Sequence, residues 1–375
     1  MPAKPPVVLL SGVRWNFLWQ RHHTLATLFA RAGYPTTFVE TTGLANPRPK
    51  VGSLRKVLER ASRPGIKESS EEGLSVYSPL VLPPTSEAFR RMNRELFIPK
   101  IADDLRGGMD GLPIVVAYPP TRTTLDLIRA LEPRLALYDC SEEYAGFAGV
   151  PRDISLTERE MFRRADIVSC TSGYLLEKAR RFRQDAFLSG PGVNYEMFEP
   201  LRGKGPAGET RVVCYFGHLG RARIRFDVLK AVVGAGFELR IVGGLGEVEP
   251  GFLGLPGVDH RGEVAHRDLP QALSGVDAFV LPYRLTRLTL GISPAKIFEC
   301  LATGKPVVSS PLPEMKKLEN HVHLAEKPED YVEVLRSLDA TETEEKRRAR
   351  IELARENSWE RRFSKIEEMI WRKLG

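Results

Sequence analysis

Lys296 and Glu299 lie three residues apart in Ser293-Pro-Ala-Lys-Ile-Phe-Glu299, a spacing that puts both side chains on one helical face. A cation followed by a carboxylate one turn later suits a diphosphate and a ribose, the grip expected for a nucleotide-sugar donor. Ala302, Thr303 and Gly304 end that helix, and residues 305–309 then form a buried strand. Three further polar segments follow strand-like runs. Gly217 and His218 belong to Phe216-Gly-His-Leu-Gly220, and Gly243 to Val242-Gly-Gly-Leu-Gly246. Such turns let backbone amides approach a phosphate, although ordinary tight turns have the same composition. Tyr283, Arg284 and Arg287 fall in Tyr283-Arg-Leu-Thr-Arg-Leu-Thr289, which offers two guanidinium groups and two hydroxyls. Ligands of doubly wound sheets sit at the carboxyl ends of strands, so Ser293, Lys296, Glu299 and these three loops together predict a bound anion. Singly, each has a plainer reading: Lys296 solvated, Glu299 a first-turn acid favoured by the helix dipole.

A second cluster is acidic. Tyr138-Asp-Cys-Ser-Glu-Glu-Tyr144 places Asp139, Glu142 and Glu143 after a strand, as candidates for a general base. The alternative is that Asp139 and Glu142 cap a helix or hold a loop. Nearer the N-terminus, Ser11-Gly-Val-Arg-Trp-Asn16 and Trp19-Gln-Arg-His-His23 supply Gly12, Arg14, Trp15, Asn16 and Arg21 as acceptor-side candidates. Trp15 and Trp19 either stack on a sugar or pack in a core. His22 and His23 have no partners at ligand spacing, so no metal is read there.

The elements that must position these groups alternate. Strand candidates at residues 7–11, 36–40, 74–78, 114–118, 135–139, 167–171 and 186–189 are separated by helical stretches such as 21–32, 123–131 and 157–164. Residues 200–210, rich in Gly and Pro, read as a linker. A second series then restarts with strands at 212–216, 238–242, 278–282, 306–309 and 322–325. Alternating βα units imply parallel sheets covered on both faces. The expected organisation is an α/β fold of two Rossmann-like domains: residues 1–199 for the acceptor, a linker at 200–210, residues 211–355 for the donor, and a helix at 356–375.

The chain has 375 residues, is 42% hydrophobic and 27% charged, and carries a formal charge of +7, which fits two globular domains rather than a disordered chain. No apolar run is long enough to span a bilayer, and no signal peptide is read at the N-terminus. The four cysteines are scattered without a CxxC pair, against a zinc site or disulfide framework and in keeping with a cytoplasmic location. Without a zinc finger, RNA-binding motif or basic repeat, the modest positive charge points to anionic small molecules or headgroups, not nucleic acid. Residues 48–67 and 90–94 are basic. They read either as amphipathic surface lying on the anionic inner face of the plasma membrane or as solvated surface and mobile loop.

Joined in order, His260-Arg-Gly-Glu-Val264, Asp268-Leu-Pro-Gln-Ala-Leu273, Val276-Asp-Ala-Phe-Val-Leu-Pro282, Ser293–Glu299 and Gly304-Lys-Pro-Val-Val308 resemble the donor half of GT-B glycosyltransferases. The likeness is to the family-4-like group and its relatives in exopolysaccharide and teichuronic acid assembly. Arg14-Trp-Asn-Phe-Leu-Trp-Gln-Arg21, Tyr138-Asp-Cys-Ser-Glu142 and Gly190-Pro-Gly-Val-Asn194 resemble the same group, so nearly the whole chain is covered. The resemblance implies two facing Rossmann-like domains, a nucleotide-sugar donor, a glycan or lipid-linked glycan acceptor, and no cofactor or essential metal. It implies Lys296 at the donor diphosphate, Glu299 at the ribose hydroxyls, and Glu263 and Val264 near the base. Glu142 falls where inverting relatives place a catalytic carboxylate, and the C-terminal helix would cross back to the first domain. Many retaining members carry a second Glu eight positions before the ribose-binding one. Here Gly291 stands there, which favours inversion with Glu142 or Asp139 as base. A nucleotide-sugar epimerase of the same fold and a non-catalytic nucleotide- or glycan-binding protein are the alternatives.

Overall fold

The computed structural model describes residues 4–16, 19–40, 66–68, 71–82, 84, 86–147, 149–203 and 210–375, with the backbone alone at 66–68 and at Arg287. Most of the basic segment 48–67 therefore lies outside the described residues, as do residues 204–209 of the expected linker. The chain divides into two compact units: Met1–Ser189 with Phe363–Gly375, and Gly190–Arg362.

In the first unit the strands are β1 (Val7–Leu10), β2 (Thr36–Val39), β3 (Ile66–Glu68), β4 (Leu74–Tyr77), β5 (Ile114–Ala117), β6 (Leu135–Cys140), β7 (Ile167–Cys170) and β8 (Phe187–Leu188). They form one sheet in the order β3-β4-β2-β1-β5-β6-β7-β8. Val7 pairs with Thr36 on one side and Ile114 on the other, both in parallel register. Only β3, against β4, runs antiparallel among the described strands. Val7, Val8, Leu9 and Leu10 are all fully buried, which explains an unbroken apolar run instead of alternation. The helix Arg21–Arg31 contributes Leu25, Ala26 and Phe29 to the core, and Arg122–Leu131 contributes Leu125, Leu127 and Leu131.

The second unit carries β9 (Val212–Phe216), β10 (Glu238–Val242), β11 (Val258–His260), β12 (Ala278–Leu281), β13 (Val307–Ser309) and β14 (His323–Leu324). Its sheet is parallel throughout, in the order β11-β10-β9-β12-β13-β14. Strand order reverses between β9 and β12, the switch point at which such sheets bind ligands.

The units divide at Ser189–Gly190, earlier than the expected end of the first domain at residue 199. The physical reason is Val193 and Phe198, both fully buried in the second unit's core. Val193 is further tied to the chain near the C-terminus, where Trp359 N donates to Val193 O at 3.1 Å. Residues Phe363–Gly375 belong to the first unit. Phe363 meets Phe29 edge-on at 4.9 Å, and Glu367 accepts from Tyr34 Oη at 2.8 Å and Lys4 Nζ at 2.9 Å.

Of the basic cluster at 90–94, Arg90 pairs with Glu87 and Asp153, each at 3.1 Å, and Arg91 with Glu95 at 2.9 Å. Among the described residues no helix is long and apolar enough to cross a membrane.

The helix that carries Lys296 and Glu299, Lys296–Ala302, is held at its far end by a buried ion network. Arg350 on helix Glu344–Glu356 donates through Nε to Gly304 O at 2.9 Å and pairs with Glu342, which also meets His323 Nε2 at 3.0 Å. Burial alone would raise the Glu342 carboxyl. Hydrogen bonds from His323 and Arg350 outweigh it and bring the pKa from 4.5 down to about 2. Truncating Arg350→Ala should destabilise the fold by about 3–5 kcal/mol, read by denaturant unfolding, because it strands the Glu342 carboxylate. Since the folded pKa is the lower one, the Glu342 contribution is complete above pH 4.5 and is lost as pH falls towards 2. An Arg350→Ala penalty that stays constant across that interval would remove Glu342 from the network.

Candidate functional site

Beside the switch point, the carboxyl ends of β9 and β10 come within backbone contact. A Cβ on Gly243 would stand 2.4 Å from Gly217 O, and Gly243 has φ +137. No other residue type fits there. A Cβ on Gly217 would in turn stand 2.4 Å from Lys296 Nζ. The missing side chain is therefore the space the ammonium occupies. Lys296 Nζ donates to Phe216 O and lies 4.3 Å from the Tyr215 ring centroid. Ile297, Phe298, Cys300 and Leu301 are buried and fix the helix on the sheet, leaving Lys296 and Glu299 half-buried on its polar side.

One turn along, Glu299 Oε1 meets His266 Nε2 at 2.9 Å. Glu263 folds against Gly244, where a Cβ would come within 2.1 Å of its Oε1, while Val264 packs on the core. His260 Nε2 lies 3.1 Å from Gly243 O, and His218 lies against Gly246. The structure thus gathers Gly217, His218, Gly243, Glu263, Val264, Lys296 and Glu299 around the ends of β9, β10 and β11. Tyr283 is buried, and burial pushes its hydroxyl up to about 12 against the opposing charge of Lys296. Ser293 is half-buried ahead of the helix. Arg284 is exposed and lines a separate cavity of about 610 Å³ together with Arg221, Arg225, Lys230 and Tyr283. Neither Lys296 nor Glu299 is among its walls. The Arg287 side chain lies outside the described residues.

In the first unit the expectation for Asp139 needs correction. It is fully buried and accepts from Arg21 Nε at 2.6 Å, Arg21 Nη2 at 3.2 Å and Ser169 Oγ at 2.7 Å. Arg21 also donates to Ser189 Oγ at 3.0 Å. A carboxylate can be buried here only because the guanidinium accompanies it, so Asp139 is no base poised for an incoming hydroxyl. Arg21, for the same reason, is an internal partner and not an acceptor contact. Burial would lower its pKa, and Asp139 reverses the direction. Glu143 is likewise committed: Lys178 Nζ lies 2.8 Å from it and 2.9 Å from Glu158. Glu142, half-buried after β6, belongs to neither pair.

Trp15 is part of an aromatic cluster, its ring 5.0 Å from Phe38, 5.3 Å from His23 and 5.8 Å from Trp19, while its backbone N–H donates to Glu40 Oε1 at 2.7 Å. Trp15 thus packs against these rings while remaining half-buried, and Trp19 is exposed. Gly12 is half-buried, and Arg14 and Asn16 are exposed.

One histidine, His266, was missed, and His22 was weighed only as a metal ligand. His22 sits between the ends of β1 and β5, its Nδ1 at 2.8 Å from Ser11 Oγ and its ring stacked 3.5 Å from Tyr118. Burial, with His23 and Arg21 nearby, holds it neutral. His266 falls between two quoted motifs, and no short-range pattern links it to Glu299.

Residues 221–368 match the glycosyl transferase-like family model. TuaH of Bacillus subtilis (strain 168), assigned to teichuronic acid biosynthesis as a glycosyltransferase, is 28% identical over 207 residues, covering 49% of this chain and 52% of TuaH. The chain thus spans about half the length of that curated relative. Sucrose-phosphate synthase from Thermosynechococcus elongatus superimposes with a TM-score of 0.66 at 16% identity, covering 99% of both chains. Anabaena Alr3699/HepE, solved in complex with UDP, gives 0.60 at 14% identity over 97% of this chain and 98% of that one. Two α/β units with these sheet orders are the GT-B architecture, so the chain has the GT-B fold, and its residues 221–368 resemble glycosyltransferases.

Proposed function

We propose that the chain moves a sugar from a nucleotide-sugar donor to a hydroxyl of a glycan or lipid-linked glycan in bacterial surface polysaccharide synthesis. The observation that carries this reading is Lys296, held at the β9 end in the space left by Gly217, with Glu299 one turn behind it. In the reaction the acceptor oxygen attacks the anomeric carbon, the bond from that carbon to the diphosphate oxygen breaks, and the acceptor proton passes to a base. Lys296 supplies charge to the departing diphosphate, where the electrostatic demand is largest. Glu299 takes the ribose hydroxyls. Glu142 is the base of choice: the resemblance puts it where inverting relatives carry a catalytic carboxylate, and Asp139 and Glu143 are buried while Glu142 is half-buried. With Gly291 upstream of the helix, direct displacement with inversion is the mechanism favoured, and no step is assigned to a metal or other cofactor.

A peripheral location at the inner face of the plasma membrane also has support. Helix Glu87–Met92 buries none of its side chains, and Phe89, Met92 and, one turn on, Leu96 are 39%, 41% and 61% exposed. Such a row beside Arg91 and Arg94 suits an anionic bilayer interface.

Lys296→Ala should weaken binding of UDP or GDP, whichever binds tighter, by about tenfold or more in calorimetry, the loss expected for a charge-assisted contact. Unchanged affinity would take Lys296 out of the site. Glu142→Gln should keep donor affinity but lower turnover by roughly 10²–10⁴, with wild-type turnover persisting in excess EDTA. Near-normal activity would eliminate Glu142 as base, and donor conversion without any acceptor would identify an epimerase instead. Replacing Phe89, Met92 and Leu96 together by Ser should reduce co-sedimentation with phosphatidylglycerol vesicles. Equal sedimentation would refute docking through this helix.

A further inference from the structure

Glu299 does not meet a ligand as an isolated side chain. Its Oε1 lies 2.9 Å from His266 Nε2, across 33 positions of sequence. An ionised carboxylate only accepts, so Nε2 carries the hydrogen and donates it. The two side chains are 17% and 27% exposed, respectively, so the contact is partly withdrawn from water and stronger than a surface pair. Both ends are anchored. Glu299 sits on a helix whose neighbouring residues are buried, and His266 opens the turn His266–Asp268 between core-packed Val264 and buried Leu269.

We propose that His266 is a positioning residue of the donor site: by occupying Oε1 it fixes the Glu299 carboxylate so that the remaining acceptor positions are presented to the ribose hydroxyls of a nucleoside diphosphate. The inference rests on the donor-site reading above. A glutamate has three rotatable bonds, and ordering them when ligand arrives costs affinity. Here that ordering is done in folding. Glu263 and Val264, expected beside the base, lie in the same short segment as His266. One stretch of chain therefore sets both the base contacts and the orientation of the ribose clamp. A histidine that only supported the fold would affect every ligand of the site alike. A histidine that orients the ribose clamp affects only ligands with ribose hydroxyls.

The test is calorimetry on the full chain with UDP, 2′-deoxy-UDP, 3′-deoxy-UDP and inorganic pyrophosphate, or the guanosine series if GDP binds tighter. Wild type should prefer the ribonucleotide by about tenfold over at least one deoxy form, the loss expected for a hydrogen bond to a charged group. In His266→Ala the ribonucleotide should weaken by a similar factor and the ratio should fall towards one, with pyrophosphate affinity unchanged. His266→Gln, whose amide can donate to Oε1, should recover part of the discrimination. A wild-type ratio in His266→Ala, or equal weakening of nucleotide and pyrophosphate, would overturn the positioning role. Failure of wild type to bind either nucleoside diphosphate is a separate result, visible before any substitution, and overturns the donor-site reading itself.

Discussion

The contact of Gly217 with Gly243 is the constraint on which the second unit's site depends. Two parallel strands ordinarily diverge into side-chain-bearing loops at their carboxyl ends. Here the absence of both Cβ atoms lets the Gly217 carbonyl approach the next turn, and the space over Gly217 is taken by the Lys296 ammonium. The lysine meets a backbone carbonyl and the face of Tyr215, so its head group has a defined place before any ligand arrives. Position on the sheet comes from the apolar side of the helix, and position along it from Arg350 at Gly304. Three unrelated kinds of interaction thus converge on one cation.

Much of this was legible in the chain because the signals are local. Buried parallel strands are short apolar runs, and those from 7–10 to 307–309 stand out by composition. The strands that escaped notice lack that signal. Val258–His260 contains one apolar residue and is half-buried throughout, and Ile66–Glu68 is an antiparallel edge of three residues. Their pairing comes from the neighbouring strand and not from their own pattern. The unit boundary was misplaced for a related reason. Gly and Pro after residue 199 mark a break in local structure, whereas the division between units follows where Val193 and Phe198 are buried. Composition reports the first and only packing reports the second.

The site shows the same split. Lys296 and Glu299 share a helical turn, so their spacing alone suggested a common purpose. His266 is joined to Glu299 across 33 positions. Asp139, Glu142 and Glu143 looked equivalent because residue type says nothing about burial. The fold separates them through desolvation. A carboxylate fully removed from water needs a resident cation, and Arg21 and Lys178 fill that need for Asp139 and Glu143.

That separation has a consequence for chemistry. A base must accept a proton from a substrate and later release it, which requires that the substrate can reach it. The Arg21–Asp139 pair, with Ser169 and Ser189 completing its hydrogen bonds, satisfies the opposite requirement: Asp139 is fully buried and its contacts are all internal. It ties the first helix of the unit to β6 and β7, and Glu142 lies just beyond the end of β6. The most conspicuous acid of the motif therefore serves as a strut for the segment that holds its neighbour. Placing an inert ion pair inside and a carboxylate nearer the surface, three residues on, gives one strand end both rigidity and a titratable group. A single carboxylate could not provide both, because the burial that makes it rigid is what binds it to its arginine.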